Sequence, residues 1–101
     1  MAIDLRSVNK FPYFHNFTAT TLATEVYLPS EAKTVSVGSE SKEVYIAQNG
    51  GTDNAAMPTN RAFVPSHNYI AIKLGIGLQR ASVFVAVKSG SGNVSIILEE
   101  Q

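Results

Sequence analysis

Alternation is the feature that most constrains this chain. In Tyr69–Leu74, Ser82–Lys88 and Asn93–Glu99 apolar residues recur at every second position, the period of a strand and not of a helix. None of these runs carries catalytic chemistry, and neither do the segments between them. The same signal, rich in Val, Ile, Thr, Tyr and Phe, reaches back to Thr18 without a competing helical period. It predicts strands at Thr20–Leu28, Thr34–Gly38, Glu43–Gln48, Ala62–Val64, Tyr69–Leu74, Ser82–Lys88 and Asn93–Glu99. Pro29 closes the first and Pro65 the fourth, because proline brings no N–H to a ladder. Gly38–Ser41 turns the second into the third, and Ser89–Gly92 reads as a hairpin between the last two. Seven short strands within 101 residues describe one all-β domain, a single antiparallel β-sandwich of jelly-roll or immunoglobulin-like type.

Alternation also assigns faces. Val35 and Val37, Val44 and Ile46, Ile70, Ile72 and Leu74, Val83, Val85 and Val87, and Val94, Ile96 and Leu98 form one apolar set, the expected core. The opposite faces are less polar than solvated sheets should be, since Tyr45, Ala47, Tyr69, Ala71, Phe84, Ala86 and Ile97 lie there. Either another part of the chain folds over them or a partner does.

Residues 1–17 read differently. Phe11, Tyr13, Phe14 and Phe17 crowd around Pro12 and keep neither period for long, so the segment is expected to be an extended N-terminal arm on a sandwich domain spanning 18–101. So many rings need a surface to dock on, either the arm's own domain or a neighbouring subunit.

Charge narrows the partners. Eight basic and eight acidic residues give a formal net charge of +0, with no excess to neutralise phosphates or anionic lipid, so neither nucleic acid nor a membrane surface is expected. Charged residues are only 16% against about 25% in an average soluble domain, which suits close packing against a partner. The absence of cysteine removes disulfides, thiolate zinc sites and cysteine nucleophiles together. No run approaches the ~20 apolar residues of a membrane span, and the chain is expected to be made soluble in the cytoplasm.

The motifs point away from catalysis. Gly75-Ile76-Gly77 is not followed by a helical pattern and lacks a third glycine, so it is a turn and not a phosphate loop. His15 and His67 have no second ligand at a metal-like spacing, and no Gly-x-Ser-x-Gly elbow is present. Arg61 and Arg80 read as surface arginines. No enzyme activity, cofactor or metal is expected. The longest connection, Gln48–Arg61, is small and polar, the place for a recognition loop. Its Asn49, Asp53 and Asn54 offer oxygens, yet one carboxylate without calcium-loop spacing argues for a turn.

Lys33–Gly38, Glu43–Gln48, Ala62–Gly75, Ala81–Ala86 and Val94–Glu99, set in a cysteine-free, Ser/Thr/Ala/Asn-rich chain behind an aromatic arm, carry a resemblance. Over residues 18–100 the chain resembles small all-β virion structural proteins of tailed bacteriophages. The resemblance implies a head decoration or cement protein on the capsid surface, joining the major capsid protein and copies of itself as trimers or other oligomers. The expected contacts are Phe11, Tyr13, Phe14 and Phe17 as arm anchors, Phe84 and Ile97 as a patch, and the loop from Asn49 through Asp53 and Asn54 to Met57. The other expectation is a tail-associated or cell-surface module that binds a carbohydrate or receptor through Tyr and Asn.

Overall fold

In the computed structural model, which describes residues 2–48, 50–74 and 82–100, every regular element is a strand. In chain order they are β1 (Ile3–Asp4), β2 (Tyr13–Ala19), β3 (Thr24–Tyr27), β4 (Thr34–Ser39), β5 (Val44–Ala47), β6 (Ala62–Val64), β7 (Asn68–Lys73), β8 (Ser82–Val87) and β9 (Gly92–Glu99). Two sheets pack face to face, one ordered β1-β3-β8-β5-β6 and the other β2-β9-β4-β7. Among the described residues only β1 on β3 is parallel; the other pairings are antiparallel.

The expected core set fills the space between the sheets. Val35, Val37, Val44, Val83, Val85, Val94, Ile96 and Leu98 are fully buried, joined by Val26 and Leu28 of the first predicted strand. Burying each such side chain contributes about 1.5–3 kcal/mol, and among the described residues no buried side-chain polar atom lacks a partner. Ile70 and Ile72 face the same interior but stay half-exposed, because β7 is an edge strand.

Consecutive strands nearly always change sheet, and among the described strands only β5 and β6 are consecutive neighbours in one sheet. The hairpin expected between the last two strands is therefore not formed: β8 and β9 lie in opposite sheets, and residues 88–91 bridge them. The β4–β5 connection crosses beside it. Lys42 lays its stem over Gly92, where a β-carbon would stand 2.5 Å from Lys42 Cγ. Ser39 Oγ donates to the Asn93 carbonyl at 2.6 Å and Lys88 N–H to that of Glu43 at 2.9 Å. The Gly-Ser-rich sequence serves a tight crossing here, as it would a hairpin.

Residues 2–17 do not stand apart as an arm. The chain enters β2 through a cis Phe11–Pro12 bond, and Tyr13 to Ala19 pair residue for residue with Leu98 to Gly92 of β9. The rings of Phe11, Tyr13 and Phe17 pack on the core. Upstream, Ile3 and Asp4 lie beside Val26 and Tyr27, and the Arg6 guanidinium grips Asp4 at 2.7 Å while sitting 4.8 Å above the Tyr27 ring.

Candidate functional site

With no deep polar centre among the described residues, the candidate sites are the outer faces of the two sheets. On the five-stranded sheet, β8 turns Phe84 outward and β5 turns Ala47 outward beside it. The long loop folds over this pair. Asn54 N–H donates to the Ala23 carbonyl and Ala23 N–H to that of Ala55, both at 2.7 Å; Leu22 bridges Ala56, and Glu25 N–H reaches Asp53 Oδ1 at 2.8 Å. These bonds also explain why β3 starts at Thr24 and not at Thr20: the preceding residues pair with the loop. Gly51 lies against the Phe84 ring, its missing β-carbon 2.6 Å from Cγ, and Met57 packs on the same cluster.

Phe84 is thus only 6% exposed and offers no surface to a partner. Its expected patch with Ile97 does not form, since the two residues lie on opposite sheets. Asp53 and Met57 are engaged internally, Asn54 is exposed at a left-handed turn with φ of 61°, and Asn49 lies outside the described residues, as do Gly75–Gly77 and Arg80.

At the far end of the loop, where Arg61 leads into β6, the same face carries a cluster that sequence reasoning missed. Tyr45 and Phe63, opposite each other on β5 and β6, bring their rings to 5.9 Å. Arg61 stands 4.1 Å above the Tyr45 ring and Lys88 Nζ 5.6 Å from that of Phe63. Alternation placed Tyr45 outward, but only the sheet order brings Lys88 and Phe63 to it.

The outer face of the four-stranded sheet is uncovered among the described residues. Register aligns Phe14, Ile97, Ser36 and Ala71 in one row across β2, β9, β4 and β7, and Asn16, Ser95, Gly38 and Tyr69 in the next. Phe14 is 64% and Tyr69 46% exposed, with Ile97 half-buried between them. Ser95 Oγ donates to Asn16 Oδ1 within the second row. Of the four arm rings expected to anchor a partner, only Phe14 points outward; Phe11, Tyr13 and Phe17 turn inward because β2 alternates like any strand.

A cleft of about 460 Å³ opens between the sheets where β5 and β6 face β7, with Ile46, Ala62, Ile70 and Ile72 on its walls and Arg61 among its lining residues. Among the described residues no group of three His, Cys, Asp or Glu side chains gathers for a metal. No protein-family model, curated protein or solved structure matches this chain.

Proposed function

We propose that this chain is a non-enzymatic virion structural protein that decorates or cements a bacteriophage capsid, using the outer face of its four-stranded sheet against the major capsid protein. The observation that carries this reading is the row Phe14–Ile97–Ser36–Ala71, flanked by Tyr69: large apolar groups in register on an uncharged stretch of exposed sheet. Four strands about 4.8 Å apart and six residues long present a face of roughly 20 by 20 Å. That is about half of the ~800 Å² each partner contributes to a stable interface, so one contact is weak and symmetric repetition supplies the rest.

The strand order supports the same reading. Setting β1 aside, β2-β9-β4-β7 faces β3-β8-β5-β6, the layout that eight strands adopt when two Greek keys roll together into a jelly roll, an architecture common in viral capsid and lectin domains. This is support by analogy of fold. The test is the copy number of the chain in purified particles by quantitative mass spectrometry, together with Ser36→Arg, which raises a charged side chain in the middle of the face without touching the core. We expect on the order of hundreds of copies per particle and loss of attachment in a folded Ser36→Arg protein. Absence from particles, or an unaffected variant, would overturn the reading.

A second reading, a tail or cell-surface module that binds carbohydrate, draws on Tyr45 and Phe63 with Arg61 and Lys88 beside them, since exposed rings flanked by donors suit sugar faces. Glycan-dependent retardation on affinity gels, abolished by Phe63→Ala, would favour it.

A further inference from the structure

We infer that copies of this chain join head to tail through the two open edges of the four-stranded sheet, β2 of one copy pairing antiparallel with β7 of the next. Both edges are unpartnered among the described residues. Natural proteins blunt such edges with proline, inward charges or bulges. Such devices are confined to one end here: β2 and β7 contain no acid and no proline, the one lysine, Lys73, closes β7, and their ladders run without a break from Tyr13↔Leu98 to Ala19↔Gly92 and from Thr34↔Lys73 to Ser39↔Asn68. Leu74 N–H bonds to the Lys33 carbonyl at 2.8 Å, so the alternation of an antiparallel ladder turns the N–H groups of Tyr69, Ala71 and Lys73 away from β4, toward the open side. Six residues there offer about 20 Å of ladder.

Three features select a second copy as the occupant and unlike edges as the pair. Strand direction alternates across β2, β9, β4 and β7, so the β2 of a following copy continues the sheet antiparallel beside β7. The flanks differ in relief as well. Tyr13, His15 and Phe17 stack along β2 at 6.4 and 6.3 Å between ring centroids, with a hollow of about 380 Å³ at the Phe17 end, whereas the β7 flank presents the smaller Ile70 and Ile72, half-exposed along a 460 Å³ cleft. A row of half-buried rings laid beside that cleft covers apolar surface on both copies. Finally, the exposed rings of the outer face sit on opposite edges, Phe14 on β2 and Tyr69 on β7, and joining the edges brings them together. Such a contact is heterologous, so it closes into a ring or runs on as a filament.

This deepens the assembly reading above, but its test needs no capsid. The chain has no cysteine, so introduced ones report cleanly. Positions 14 and 71 are three strand spacings apart in one copy, about 14 Å, beyond the ~7 Å that a disulfide spans. Under mild oxidation the double variants Phe14→Cys/Ala71→Cys and Phe14→Cys/Lys73→Cys, which sample two registers, should include one that forms a ladder of disulfide-linked multimers. Each single variant should stay unlinked, and the unmodified protein should be multimeric by light scattering. Dimers from a single variant would show like edges pairing and overturn the inference, as would unlinked double variants or a monomeric parent. Loss of capsid attachment with linking intact would sink only the capsid reading.

Discussion

The ring of Tyr69 lies across Gly38 on the neighbouring strand, so that a β-carbon at Gly38 would stand 2.8 Å from Tyr69 Cγ and 2.2 Å from the Asn68 carbonyl oxygen. Backbone, not merely a mobile ring, fills that space. Gly38→Ala should therefore destabilise by about 1–3 kcal/mol, the range for overpacking. Urea unfolding would read this as a lower midpoint at unchanged slope; an unchanged midpoint would mean that the ring and strand yield freely.

Gly51 and Phe84 stand in a similar relation across the long loop. Gly51→Ala should lift the loop from the sheet while leaving the core intact, at a cost of about 1–3 kcal/mol. Amide exchange of Asn54 and Ala23, whose N–H groups bond across this contact, should accelerate relative to Val85 and Ile96. Equal acceleration everywhere would show that the loop and core open as one unit.

The Asp4 carboxyl is held down to about 2 from 3.8 by side-chain and backbone hydrogen bonds from Arg6. A carboxyl with a lowered folded value adds stability that is fully present above about 4 and is lost as pH falls toward 2. Both groups are exposed, so the increment is small and salt-sensitive. Carbon-detected titration should place the Asp4 midpoint near 2, and Arg6→Gln should return it toward 3.8. An ordinary midpoint in the parent would show that the pair does not persist in solution.

Ile96 and Ile72 share a chemistry but not a burial. Ile96→Ala, in the middle of the core, should cost about 2–5 kcal/mol. Ile72→Ala, at the open flank, should cost less than half as much in monomeric protein, because much of its surface already meets water. Comparable losses in the monomer would mean that the flank is closed in solution.

Much of this fold was legible because inward and outward positions alternate. Ala62–Val64 matches its strand residue for residue, and the expected core falls inside except at the edge strand, where Ile70 and Ile72 stay half-exposed. Alternation says which side of a strand faces the core and nothing about which strand lies beside it, hence the false hairpin at Ser89–Gly92 and the false pairing of Phe84 with Ile97. β2 escaped notice because its outward Phe14 is as apolar as the inward Tyr13 and Phe17, which erases the contrast that alternation relies on. The Tyr45–Phe63–Arg61–Lys88 cluster was hidden for the same reason as the sheet order, since its members come from three separate stretches.

The position of β9 has a consequence for the order of events on the ribosome. It lies between β2 and β4, and among the described residues it is the sole sheet neighbour of β2. The second strand synthesised thus waits for the ninth, its Tyr13 and Phe17 side chains unsheltered until then. The four-stranded sheet can close only after β9 has left the exit tunnel, so the slowest contact to form is the one between the most distant strands.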